Sequence, residues 1–401
     1  MNQFATNKKQ YLSGVLELAF RQLELSDFQY EQVKKRYGLV AQWIGSSSDP
    51  RLNGSIIYPQ GSVLLRTTVA PISNGTFDLD FVCQLPAAAN DESAVTLHKL
   101  VGDRLRENGT YKTMLEPKNR CWRLNYAESS RFHMDITPAV RNLACGNNGI
   151  LVPDRELSQL KPSNPKGFAA WVDKTSKLSP TFTQITRRMV EAAFAKADIQ
   201  PLPENVDVHD PLRRIIQVAK RHRDFTHHSG KLEHPPISVI ITTLATHSYA
   251  YCVHAGTYET PWDFVLSVLR NMHRFIRVID TSNGPWYWIE NPATIENPVT
   301  TATNVENFAE KWNESPEKAN GFFEWHAAIV SEFEQLFSLE GSDQVQHHFA
   351  KQLVGPEADS IFSSINASVN AARVSGRLFA GRTGVSIATG TPVRKNTFFG
   401  D

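Results

Sequence analysis

The chain has no long apolar run: nowhere in its 401 residues is there a stretch of roughly 18–20 apolar residues, the length a membrane-crossing helix needs. Cysteine is scarce as well. Cys83, Cys121, Cys145 and Cys252 form no C-x-x-C pair and have no histidine at zinc-ligand spacing. That excludes a zinc-ribbon module and leaves reduced thiols packed as small core residues. The opening "MNQFATNKKQYLSG" lacks the basic start, apolar core and small-residue cleavage site of a signal peptide, so a cytoplasmic protein is expected. Net charge is almost absent: 42 Lys+Arg stand against 41 Asp+Glu, a formal +1. Proteins built to hold a long nucleic acid usually carry a basic excess, and this one does not. There is no internal repeat and no low-complexity tract. What remains is an ordinary globular composition, 41% hydrophobic and 21% charged, in a chain long enough for two domains.

Two rhythms divide that chain. Residues 7–45 follow a helical pattern, with Ser26 and Gln29 spaced as a capping box and an apolar stripe of Phe28, Val33, Tyr37, Leu39, Val40 and Trp43. From 54 to 140 a period of two takes over. In "FDLDFVCQ" Phe77, Leu79, Phe81 and Cys83 alternate with Asp78, Asp80, Val82 and Gln84. In "RFHMDIT" Arg131, His133, Asp135 and Thr137 alternate with Phe132, Met134 and Ile136. An amphipathic helix beginning near Asp91 interrupts these strands. From about 165 onward the pattern is helical. Asp210-Pro211 opens "LRRIIQVAKRHRDF", and "PPISVIITTLATHSYAYCV" and "TPWDFVLSVLRNMHRFIRVI" follow. The stretches "ADIQPLPENVDVHD" and "NPATIENPVTTATN" read as loops, and "GRTGVSIATGTPVRKNTFFGD" as an extended or mobile tail.

Two aspartates one residue apart in an otherwise buried strand require compensation, because like charges repel and burial penalises both. On a strand Asp78 and Asp80 face one way. If the strand carrying Asp135 is a neighbour, three carboxylates converge, and divalent cations are the natural counter-charge. Oxygen-only donors select hard ions, Mg²⁺ first and Mn²⁺ second. Two such ions form the usual clamp for phosphoryl or nucleotidyl transfer. Gly61 and Ser62, just upstream, suit a phosphate: glycine lets the backbone approach, and the hydroxyl and nearby N–H groups donate. A lone D-x-D is weak; the order Gly-Ser, D-x-D, then a single Asp on a later strand is informative.

In "YPQGSVLLRTTVAP…FDLDFVCQL", "FHMDITPAV" and "SNPKGFAAWV" the chain resembles the bacterial cGAS/DncV-like nucleotidyltransferases (CD-NTases), polymerase-β-superfamily enzymes of CBASS antiphage systems. The resemblance spans about residues 54–250. Its specific parts are Gln60-Gly61-Ser62, the D-x-D, and a third Asp followed by x-x-Pro. It implies an α+β fold: a polymerase-β-like lobe with a mixed sheet, flanking helices and an N-terminal brace helix over 1–160. An all-helical lobe over 161–380 completes the NTP cleft, and 381–401 is a flexible tail. It further implies that Asp78, Asp80 and Asp135 are catalytic and ligate two Mg²⁺ ions, with Mn²⁺ as substitute. Gln60, Gly61 and Ser62 would hold the donor nucleotide. Two rounds of transfer, with ATP and GTP as expected substrates, would release pyrophosphate and give a cyclic oligonucleotide such as cyclic GMP-AMP.

Lys220 matches the family's phosphate-binding lysine, and Ser238 the serine on the next helix. The residues alone also allow a solvated basic face for Lys220 and an ordinary helix cap for Ser238. His133 (orienting Asp135), Arg66 (reaching phosphate), Tyr249 and Tyr251 (stacking on a base) are lesser candidates, each with a plainer packing or surface reading. Some family members are joined through their C-termini to targets by a companion conjugating enzyme, a signal that Gly400-Asp401 does not clearly match. Two other readings stay open: a nucleotidyltransferase acting on an RNA end, a protein or a small molecule, and a catalytically silent nucleotide-binding member. Neither a membrane nor a long nucleic acid is expected as a partner.

Overall fold

The computed structural model describes residues 27–183 and 210–353, apart from 73–75, 127–131, 146–147, 157, 283, 295–304 and 340–341. Scattered residues before 27 and after 353 are also described. Ser26 of the expected capping box and most of the two expected loops lie outside the described residues.

The strand rhythm produces one seven-stranded mixed sheet. Strand β1 (Ile56–Pro59) pairs antiparallel with β2 (Phe77–Gln84), and β2 pairs parallel with β5 (Phe132–Arg141). On its other side β5 pairs antiparallel with β4 (Trp122–Asn125), which pairs with β3 (Leu115–Pro117). The far end of β5 continues through β6 (Ile150–Asp154) to β7 (Gln159–Ser163).

Helix α1 (Asp27–Gly45) and the crossover helix between β2 and β5 cover one face. The crossover helix starts at Ala94 rather than near Asp91, because the Ser93 hydroxyl accepts from the Thr96 N–H at 3.1 Å and fixes the cap there. Against these helices β2 buries Phe77, Leu79, Phe81 and Cys83, as the period of two requires. Phe28 and Leu39 are 72% and 53% exposed, so the buried stripe of α1 is narrower than the sequence pattern: a helix covered on one side buries only one arc. On the opposite sheet face Val82 packs with Tyr58, Ala139, Ile150 and Val152. Asp78 and Asp80 therefore occupy the uncovered end of that face.

A second core is helical. It is built by α2 (Gly61–Leu65), α3 (Ala94–Arg106) being part of the first core, and then by α4 (Pro165–Ser176), α5 (Pro211–His228), α6 (Ser238–Ala255), α7 (Pro261–Asn271) and α8 (Pro316–Ser338). Trp262, Tyr249, Phe322 and Trp325 sit at its centre. Leu12, Val15, Leu16 and Leu23 are buried in this helical cluster, not against the sheet. Asp210 caps α5 as read from the sequence, its Oδ1 accepting from the Arg213 N–H at 3.1 Å.

The helical reading of "RFIRVI" fails at its end. Arg277–Thr281 and Gly284–Trp288 form an antiparallel hairpin, as the β-branched Val278, Ile279 and Thr281 favour; Gly284, paired with Thr281, has φ +105°. The tail is also paired: Phe379–Gly381 lies between Gly384–Ser386 and Thr391–Pro392 in a small sheet. Among the described residues no helix is long and apolar enough to cross a membrane. All four cysteines are free, with Cys83 and Cys252 buried.

Candidate active site

The parallel register sets Asp80 beside Asp135 and Asp78 beside His133, so three carboxylates share one end of one sheet face. Asp135 is 8% exposed, whereas the Asp78 side chain is 59% exposed. Between them lies a residue that the sequence reading passed over. Arg123 on β4 is the cross-strand partner of Asp135, and directly opposed residues share a face. Its Nε and Nη2 donate to the two Asp135 oxygens at 2.8 Å each, and Nη2 stands 3.3 Å from Asp78 Oδ1. The signal was available in "WRLN", where Arg123 alternates with buried Trp122 and Leu124.

One guanidinium does not balance three carboxylates. The Asp80 carboxyl is pushed up to about 7, by burial first and then by the charges of Asp135 and Asp78, with Arg123 and Lys220 opposing. Among the described residues no group of three His, Cys, Asp or Glu side chains closes on a common point, and Arg123 takes both Asp135 oxygens. The donor set nonetheless fits a hard cation. It is all carboxylate oxygen, from adjacent strands, and still short of positive charge.

The Gly-Ser segment is pinned to the same strand. The Gln60 N–H donates to the Asp80 carbonyl at 2.8 Å, and Gln60 Nε2 to Thr137 Oγ1 at 3.2 Å. Gly61 has φ +56°, and a Cβ there would stand 2.7 Å from Asp80 Oδ2, so the position demands glycine twice over. Gly61–Leu65 forms the short helix α2, whose C-cap is Arg66 in the left-handed region at φ 56°. Arg66 thus ends the helix and is absent from the cleft lining, against the expectation that it could reach a phosphate.

Helix α5 grips the chain just beyond. Arg213, Gln217, Lys220 and Arg221 recur at helical spacing and donate to the carbonyls of Leu65, Thr68, Thr67 and Ala70 respectively. The solvated basic face is therefore ruled out: Lys220 and Arg221 are 4% and 1% exposed. Lys220 Nζ also donates to Thr67 Oγ1 at 2.9 Å. Its ammonium is pushed down to about 7, by burial and by Arg223, with Asp224 and Asp80 opposing. Ser238 opens α6, but the N-cap is Ile237 and no side chain caps the helix. Instead Arg223 Nη2 donates to the Ser238 hydroxyl at 3.1 Å. Tyr249 is core, its hydroxyl donating to the Leu178 carbonyl at 2.7 Å, and Tyr251 lies under Arg274. His133 bonds Thr76, not Asp135.

All of these elements meet in one cavity of about 1520 Å³. Gln60, Gly61, Ser62, Asp78, Asp80, Asp135, Lys220 and Ser238 all line it, and so do Arg123, Lys161, Asn291, Glu306 and the indoles of Trp286 and Trp288. Glu306 is held by Asn291 Nδ2 at 2.8 Å and Ser163 Oγ at 3.3 Å, and burial raises its carboxyl.

Across the cavity, a mixed sheet carrying strand-borne carboxylates faces a helical wall that presents an amine and hydroxyls. Residues 13–175 match the Second Messenger Oligonucleotide or Dinucleotide Synthetase domain (SMODS). Over 407 aligned residues the chain is 28% identical to a c-di-GMP synthase of Roseivirga ehrenbergii, covering 99% of each. The fold is that of the Bradyrhizobium diazoefficiens CD-NTase CdnG solved with GTP (TM-score 0.63, 18% identity, 91% of this chain and 99% of that one). It is also that of Escherichia coli CdnC in its HORMA complex (TM-score 0.57, 12% identity, 85% and 96%). Residues 13–175 thus carry a second-messenger oligonucleotide or dinucleotide synthetase domain, and the chain has the fold of the bacterial CD-NTases.

Proposed function

We propose that the enzyme joins two NTPs, at least one of them GTP, into a cyclic dinucleotide and releases pyrophosphate. The observation that carries this reading is the single cavity in which the carboxylate wall and the Lys220–Ser238 wall face one another. At about 1520 Å³ it exceeds the roughly 300–1,000 Å³ of a one-ligand pocket and has room for two nucleotides. Ser62 and the N–H groups around it, with Lys220 and Ser238, hold the donor triphosphate; Gln60 and Gly61 keep that segment against Asp80. Asp78, Asp80 and Asp135 hold two Mg²⁺ ions, which when bound neutralise the transferring phosphate and lower the pKa of the attacking hydroxyl. Arg123 keeps Asp78 and Asp135 aligned beforehand. The sheet-bearing part, about 1–160, acts as the catalytic lobe, and 161–380 closes the cleft.

Guanine is favoured on two grounds. Glu306 offers a carboxylate to the cavity, matching the N–H donors on guanine's Watson–Crick edge, and the curated relative is named a c-di-GMP synthase. The reading therefore leans to cyclic di-GMP, with cyclic GMP-AMP the second outcome. Incubation with labelled GTP alone and with each NTP pair, in Mg²⁺ or Mn²⁺, followed by nuclease digestion and mass analysis, tests it. A nuclease-resistant ring containing guanine is expected. Transfer only to an RNA end or a protein, or no pyrophosphate from any combination, overturns it. The near-neutral charge favours action in an NTP-sized cleft without an RNA acceptor.

A further inference from the structure

The hairpin Arg277–Thr281/Gly284–Trp288 has one face that the fold uses and one that it leaves bare. Tyr287 anchors it: its ring meets Trp312 edge-on at 5.6 Å and Phe323 at 6.2 Å. Its N–H donates to Asn313 Oδ1 at 2.7 Å, and its carbonyl accepts from Asn307 and Asn313 at 3.1 and 3.0 Å. Trp286 and Trp288 flank Tyr287 and so point the opposite way. That way lies the cavity, and both indoles line it. Trp286 is 45% exposed. The Trp288 ring is tethered by its Nε1, which donates to Glu290 Oε2 at 3.4 Å.

Trp286 is exposed and Trp288 half-buried on a strand that is fastened from behind. Same-face neighbours on a strand stand about 6.6 Å apart, close to twice the ~3.5 Å contact distance between flat rings. An aromatic plate of nucleobase size fits against either indole. Glu306, held by Asn291, lines the same cavity and offers a carboxyl to the edge of such a plate. The cavity that these indoles line contains the carboxylates and Lys220, so its occupant also carries phosphate.

We propose that Trp286 and Trp288 form a stacking platform for a purine base of one of the two substrate nucleotides. The assignment rests on the nucleotidyltransferase reading above. The platform binds by ring face and so tolerates either purine; the edge groups do the discriminating.

The test is calorimetric titration of the full chain with α,β-methylene GTP, and separately with inorganic tripolyphosphate, both in Mg²⁺. Trp288→Leu and Trp286→Leu should each weaken the GTP analogue about 10-fold or more, within the range measured for base–aromatic stacking. Tripolyphosphate affinity should stay unchanged, and Trp288→Phe should retain most of the analogue affinity. Unchanged analogue binding in the double Leu variant overturns the platform. Equal losses for both probes also overturn it, because they would mean a purely structural role, and so does failure of the wild-type protein to bind the analogue. Base-dependent binding without pyrophosphate release from any NTP pair would sink the proposed activity and leave the platform standing.

Discussion

On the sheet wall of the cleft, three carboxylates stand on neighbouring strands around one guanidinium, and Asp80 is driven up to about 7 by burial first and then by the charges of Asp135 and Asp78. On the helical wall, Arg213, Lys220 and Arg221 are already spoken for, donating to carbonyls between Leu65 and Ala70. The first wall is electrostatically incomplete, as the proposed cation site requires; the second bonds chiefly within the chain and shapes the segment that carries Gly61 and Ser62, with Lys220 and Ser238 at the cavity for their proposed second role toward nucleotide. A charge cluster signals a ligand when its charge is unbalanced, not when it is merely dense.

Removing the unbalanced charge should have the largest effect. Asp78→Ala with Asp80→Ala should lower pyrophosphate release by about 1,000-fold or more, the scale of several kcal/mol of metal-borne stabilisation. The metal-free melting temperature should hold or rise, since repulsion is relieved; an unfolded double variant would make the carboxylates structural and erase the contrast. Lys220→Met tests the other wall. It should raise the KM for NTP by about 10–100-fold, as loss of one charge-assisted hydrogen bond predicts, with a smaller fall in kcat. An unchanged KM would assign Lys220 wholly to the Thr67 contact.

Gly61→Ala joins the walls and should cost about 1–2 kcal/mol in urea unfolding from the left-handed backbone alone. Turnover should fall as well, because the new methyl displaces Asp80; normal stability and turnover would show that the segment relaxes freely. The smallest effect is in pH. Asp80 keeps a proton in the fold from its ordinary 3.8 up to about 7, where the unfolded chain has lost it. Metal-free stability therefore falls as pH rises through that window. Lys220 gives up its proton above about 7, well below its ordinary 10.5, so stability rises again between those values. The metal-free melting temperature should pass through a shallow minimum near pH 7. Asp80→Asn should remove the acidic limb alone; a wild-type curve flat from pH 4 to 7 contradicts the charge imbalance.

The sheet wall was the legible one. Strand alternation states directly which residues share a face, so Asp78, Asp80 and Asp135 could be grouped once their strands were taken as neighbours. Arg123 was legible by the same rule but was overlooked, because its importance lies in a β4–β5 register set far along the chain. The helical wall was half-legible. Asp210-Pro211 announced α5 correctly, yet nothing in a run of basic residues tells a solvated face from one buried against another segment's carbonyls. The hairpin was not legible because "RFIRVI" continues an apolar period, and its partner strand begins only at Gly284.

A chamber of about 1520 Å³ served by one set of carboxylates also bears on processivity. In the proposed reaction, closing a ring takes a second bond at the same place, so the half-built linear dimer has to pivot within that chamber if it is not to be released and recaptured. Flooding the assay with unlabelled linear dimer should then scarcely dilute label in the finished ring.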